Sequence, residues 1–248
     1  MKKIIIAGLF FTFISCQKKL VEGFVSHYTD SFKVHALAKG DREVVYLPMV
    51  HVGKPDFYAK VKHTLDSLRA GGYAVFYESI EADKEIDSLE RDLVSRKLRR
   101  IIGIYPDYAN KKLFKILDIK GFVIQTKSNI GIVDSLDIRA DLSLNKLIAS
   151  YEIERGEVTL SEYDLKTPLK NKYKVENLNQ VDSDFLTDTI RNNYLVKLVN
   201  ESEEERIAVI YGAAHMLPLF KGLQKQDSLW RTIPETELKN RRLQSITK

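Results

Sequence analysis

Two histidines and a glutamate stand at the ends of short apolar runs, and they are the chain's main candidates for chemistry. Ile207-Ala-Val-Ile-Tyr211 stops at Gly212 and leads through two alanines to His215. Val44-Val-Tyr-Leu-Pro-Met-Val50 ends on His51, and Tyr73-Ala-Val-Phe-Tyr77 ends on Glu78. Short apolar runs rich in β-branched and aromatic residues read as strands buried on both faces. If the three strands are parallel neighbours, His51, Glu78 and His215 leave one sheet along one edge. Ligand sites of open α/β sheets gather just beyond the carboxyl ends of the strands. Two imidazoles and a carboxylate meeting there would make a divalent-metal site or a general acid–base cluster. Unrelated residues at three strand ends would give the same pattern.

The elements around these residues predict an α/β fold, with a central mixed, mainly parallel sheet flanked by helices. Phe32 to Leu37 alternates and Lys39-Gly-Asp41 supplies a turn, so a hairpin leads into the His51 strand. Pro55 suits a first helical turn. Phe57, Tyr58, Val61, Leu65 and Leu68 then share a helical face, and Gly71-Gly72 closes it. Strand, helix and strand in succession predict a right-handed parallel βαβ unit. His35 and His63 fall among polar positions, and His27 has no informative neighbours.

Farther on, residues 80–102 read as one amphipathic helix, with a possible break near Ser95. Its basic cluster Arg96-Lys-Leu-Arg-Arg100 is expected to be a solvated end. Residues 111–117 read as a helix, 121–126 as a strand, 130–133 as an edge strand, and 138–155 as the approach to and body of a helix. Ser143 is the expected N-cap there, and Asp141 is assigned to capping rather than to the site. Residues 156–182 are polar and weakly patterned, either a flap over the site or a surface excursion. Residues 184–201 form a helix carrying Arg191-Asn-Asn193, and residues 216–226 another. The tail after Gln226 is charged, with Trp230 expected to pack on the body.

The 248 residues suit one domain able to bury a core. Setting aside Lys2 and Lys3 leaves 37 basic against 34 acidic residues, which gives no case for nucleic acid. The start is more telling. Lys2-Lys3 precedes an apolar run, Ile4 to Ile14, interrupted only by Thr12 and too short to span a bilayer. It ends Phe13-Ile-Ser-Cys16, which resembles a bacterial lipoprotein signal. Residues 1–15 are therefore expected to be a signal peptide, 16–31 a tether lipidated at Cys16, and 32–248 the folded domain. The protein would be exported and anchored by lipid to a bacterial membrane, facing the periplasm. Cys16 is the sole cysteine, so an internal disulfide, a cysteine nucleophile and a cysteine ligand in the body are excluded.

Met49-Val-His51-Val-Gly53 with Phe57-Tyr58, then Glu78, Arg191-Asn192 and Gly212-Ala-Ala-His215, resemble the TraB/GumN/Tiki superfamily. Erythromycin esterase and ChaN-like haem-binding proteins are its distant relatives. The likeness covers residues 43 to 226 in order, with Pro48 where the family has glycine. It implies a metal-dependent hydrolase, with peptide bonds as the first substrate guess. His51 and His215 would hold a divalent ion, manganese or cobalt rather than zinc. Glu78 would be the third ligand or the base, and Arg191 would stabilise the oxyanion or orient Glu78. Two alternatives stay open. In a metal-independent esterase a histidine would activate water itself. In a haem or iron carrier a histidine, or one of Tyr46, Tyr77 and Tyr211, would be the axial ligand.

Overall fold

The structure is a computed structural model that describes residues 26, 29–30, 32–105, 121–174 and 178–246. The signal segment, Cys16, His27 and the expected helix at 111–117 lie outside these residues. No helix among the described residues is long and apolar enough to cross a membrane.

The hairpin forms as its alternation predicts: β1 (His35–Lys39) pairs antiparallel with β2 (Arg42–Met49). Gly40 takes the turn at a φ of 57°, a region that side-chain-bearing residues rarely enter. After β3 (Val52–Gly53) comes α1 (Pro55–Ala70), with proline in its first turn. It buries all five residues of the apolar face read from the spacing. Gly72, at a φ of 78°, releases the chain into β4 (Ala74–Tyr77).

Ser88–Ile102 is α2, eight residues shorter at its start than the periodicity suggests. Asp87 sets that start by accepting the Glu90 N–H at 2.8 Å, and residues 78–87 are left as a loop. Ser95 is buried in an unbroken helix. The strand expected over 121–126 shrinks to β5 (Val123–Ile124), which pairs with β3 in a separate ribbon. Thr126 then caps a single turn, α3 (Lys127–Ile130), so residues 130–133 form no edge strand. The edge is β6 (Ile138–Arg139), followed by α4 (Leu144–Arg155). Ser143 precedes α4 without a capping bond, because its hydroxyl donates to Asp83 at 2.9 Å.

A short helix α5 (Glu162–Lys166) breaks the polar excursion. The chain then enters α6 (Gln180–Asp184), a π-helical turn (Phe185–Ile190) and α7 (Arg191–Glu201) without leaving helical geometry. Next come β7 (Arg206–Gly212), a 3-10 turn (Ala213–His215), α8 (Met216–Gln226), β8 (Arg231–Ile233) and α9 (Glu235–Ile246).

The main sheet has six strands in the order β6-β4-β7-β2-β1-β8. β6, β4, β7 and β2 are mutually parallel, and β1 runs against both its neighbours. This is a mixed, mostly parallel sheet flanked by helices. β7 inserts between β2 and β4, so the last long strand completes the middle of the sheet. Alternate residues divide between two cores, as the strand period requires. Val45, Leu47, Val75 and Ile210 pack with α1, while Val44, Phe76, Ile207 and Val209 pack with α7 and α8. A third core joins α2 and α4. Trp230 is buried as expected, with Lys39 and Arg42 each 5.7 Å from its ring.

The basic cluster is not a solvated end. Arg99 is fully buried and donates to the carbonyls of Asp164, Thr167 and Pro168 at 2.8–3.0 Å. Arg96 joins it on Asp164 and Thr167 at 2.6 and 2.9 Å. These carbonyls close α5, whose last turn has no helical partners for them. The excursion is thereby fastened to α2.

Candidate active site

Parallel strands bring four segments to one edge: residue 78 after β4, 141 after β6, 191 at the head of α7, and 212–215 after β7. Arg191, only 6% exposed, is the hub. Its Nε and Nη2 donate to both oxygens of Asp141, the shortest contact being 2.7 Å. Nη2 also donates to Glu78 Oε1 and, at 3.2 Å, to the Tyr211 hydroxyl. Nη1 donates to the Thr187 carbonyl at 3.3 Å and lies 3.4 Å from His215 Nε2. Every N–H of the guanidinium is therefore engaged.

Glu78 Oε2 accepts the Gly212 N–H at 2.6 Å, which ties the end of β4 to the end of β7. Gly212 is required here for space, not for an unusual backbone angle. A Cβ at this position would stand 3.2 Å from Glu78 Oε2 and 3.4 Å from His215 Cδ2. The Tyr46 hydroxyl donates to the Gly212 carbonyl at 2.7 Å and steadies the same turn.

His215 is buried on the edge of the Tyr211 ring. Its Nδ1 lies 2.8 Å from Asn192 Oδ1. An amide oxygen only accepts, so the proton sits on Nδ1 and the lone pair on Nε2. Burial and the Arg191 charge hold the imidazole below its ordinary pKa, which favours the neutral form. Burial alone would raise the Glu78 carboxyl. The charge and hydrogen bond of Arg191 and the Gly212 N–H outweigh it and hold Glu78 below its usual value. Burial likewise opposes the charge on Arg191, but its oxygen partners, Tyr211, Asp141 and Glu78, keep the guanidinium firmly protonated.

Of the residues singled out by sequence, Glu78, Arg191 and His215 come together. His51 does not join them. Its side chain is exposed on the bend after β2 and bonds to no described residue; its backbone carbonyl accepts the Gln125 N–H at 2.8 Å. Among the described residues no three of His, Asp and Glu converge as a metal ion would require. The donors implied for manganese or cobalt are also spent. Both Glu78 oxygens and both His215 nitrogens have partners, and a guanidinium touches each side chain. This arrangement does not fit a divalent ion held by His51, Glu78 and His215. The tyrosines proposed for haem are occupied too: Tyr46 on Gly212, Tyr211 on Arg191, and Tyr77 on Asp134 at 2.9 Å.

Sequence reasoning missed two members of the site. Asp141 has a side chain with no exposure and pairs with Arg191 instead of capping α4. Its signal was its place two residues beyond a strand too short to recognise. Asn192 was quoted beside Arg191 without a role, although its neighbour in sequence already faced His215. No protein-family model, curated protein or solved structure matches this chain significantly.

Proposed function

We propose that the protein is a hydrolase in which His215 activates water against an uncharged ester, without a metal ion. The observation that carries this reading is the imidazole itself. Asn192 fixes its tautomer, its pKa is lowered, and its lone pair meets Arg191 across the longest contact of the network, 3.4 Å. A water inserted there would give up a proton to Nε2 as its oxygen bonds to the ester carbonyl carbon. Arg191 would face the developing negative charge, together with the unpaired N–H groups at the start of the 3-10 turn that leads into α8. The tetrahedral intermediate would then collapse, and the alkoxide would leave with the proton from the imidazolium.

Glu78 and Asp141 outnumber Arg191, so the site is net negative, which favours a neutral substrate over an anionic one. Cleavage of a peptide bond through a bound ion is the weaker reading, because it needs His51 in the cluster. Membership of the TraB/GumN/Tiki group, export, and a lipid on Cys16 remain proposals that rest on sequence; loss of fatty-acid labelling in Cys16→Ser checks the last.

The test is hydrolysis of neutral p-nitrophenyl esters by the full chain, with and without a chelator, beside His215→Ala. Chelator-resistant turnover that falls at least about a hundredfold in His215→Ala is expected, the usual contribution of a general base. Turnover that vanishes with chelation and returns with manganese would sink the metal-free mechanism.

A further inference from the structure

Beside the site, on the far side of Asn192, a groove of about 570 Å³ runs between α7 and α8. That volume lies within the range of about 300–1,000 Å³ typical of small-molecule sites. One wall is Thr189, Asn192, Asn193 and Val196; the other is Pro218, Gly222, Lys225 and Gln226. Both sets recur at the three- and four-residue spacing that puts side chains on one helical face. At Gly222 a Cβ would come within 2.5 Å of Val196, so glycine lets the helices meet closely along the floor.

The chemistry of the lining is distinctive. Its polar groups are three amides, a hydroxyl and one ammonium, with no carboxylate and no aromatic ring. Thr189, Asn193, Lys225 and Gln226 bond to no described side chain or backbone group, and Asn192 uses only Oδ1, on His215. Its NH2 group is therefore left over. A second cleft of about 340 Å³, beside Tyr77, is the opposite case. There Lys127 bridges Glu81 and Asp134 at 2.9 Å, and Asp83 pairs with Arg139 at 3.5 Å, so the charges are spent on one another.

We propose that the α7–α8 groove binds a neutral carbohydrate chain and that Asn192 couples its occupancy to His215. An amide donates and accepts at adjacent atoms, which matches the neighbouring hydroxyls of a sugar. An anionic ligand would find only Lys225, and an apolar one only Val196 and Pro218. A hydroxyl accepting from the Asn192 NH2 group would polarise the amide whose oxygen holds the His215 proton. The binding claim does not depend on hydrolysis, and a failure of esterase activity would leave the following test unaffected.

The full chain, labelled with nitrogen-15, is titrated with maltotriose, cellotriose and chitotriose, with trialanine as the control. Saturable shifts of the Asn192, Asn193 and Gln226 side-chain amides by at least one sugar, accompanied by the His215 ring, are expected. Asn193→Ala and Gln226→Ala, both at exposed positions, should each weaken that binding about 2- to 12-fold, as for one lost neutral hydrogen bond. The proposal is overturned if no sugar moves these amides at 10 mM (roughly the limit of useful affinity, about 3 kcal/mol), or if only trialanine does. Sugar shifts that leave the His215 ring unmoved overturn the coupling.

Discussion

Two arginines are buried in this protein, and they are used in opposite ways. Arg191 meets two carboxylates, a phenol and an imidazole; Arg99 meets three backbone carbonyls and the face of Tyr173, 4.2 Å from the ring centre. The partners of Arg99 are neutral, so its charge serves to collect the carbonyls that end α5 and to fasten a polar excursion to α2. The partners of Arg191 titrate and come from three strand ends. A buried charge met by dipoles fixes a loop, whereas one met by other charges sets their protonation as well. That is why the second is the better mark of an active site.

Removing the charge-paired arginine should do the most damage. Arg191→Met leaves Asp141 and Glu78 buried without a counter-ion, and a loss of about 3–5 kcal/mol is expected in denaturant melts. A loss below about 1 kcal/mol would mean the network is not closed. Arg99→Met should cost less, about 1.5–3 kcal/mol for a hydrogen-bonded charge. Its effect should concentrate in proteolytic sensitivity of residues 156–174, with ester hydrolysis retained. If Arg99→Met abolishes hydrolysis, the division between the two arginines fails.

The third contrast is in pH. His215 and Glu78 both titrate lower when folded than their ordinary values of 6.5 and 4.5. Where the unfolded chain takes up protons that the folded one refuses, acid favours unfolding. Stability should therefore decline as pH falls from about 6.5 through the two lowered values. The acid limb of kcat/KM should lie below the usual histidine value in the wild type and move up in Arg191→Met, where the charge beside Nε2 is gone. The smallest effect is expected for Asn192→Ala, which should spare the fold and lower kcat about tenfold or more by freeing the tautomer, from the loss of one orienting hydrogen bond. An unchanged kcat would dissociate Asn192 from the chemistry.

Much of the sheet could be read from sequence, because β2, β4 and β7 are buried on both faces and carry long apolar runs. The face of α1 was equally plain, since all five of its apolar residues point inward. What escaped was fixed by contacts distant in sequence. β6 is two residues long and exists through pairing with Phe76 and Tyr77, which no local pattern announces. Asp141 looks like a helix cap until Arg191, fifty residues later, claims it. The three charged residues of Arg96–Arg100 that matter, likewise, look solvated until the 164–168 carbonyls are placed against them. At the site, Glu78 and His215 were legible because glycine and strand ends frame them. His51 had the same frame, but its strand end bends into β3, and the side chain turns to solvent.

The π turn at Phe185–Ile190 acts on everything after it as a change of rotational phase. One residue advances an α-helix by about 100°. Deleting a single residue from this turn would relax it to α-helix and rotate all of α7 by that angle. Arg191 would swing off its carboxylates, Asn192 would leave His215, and the Leu195 and Val199 seam would turn out of the sheet. A family carrying this site could therefore vary the loops on either side of the helix in length, yet tolerate no single-residue gap within residues 185–190.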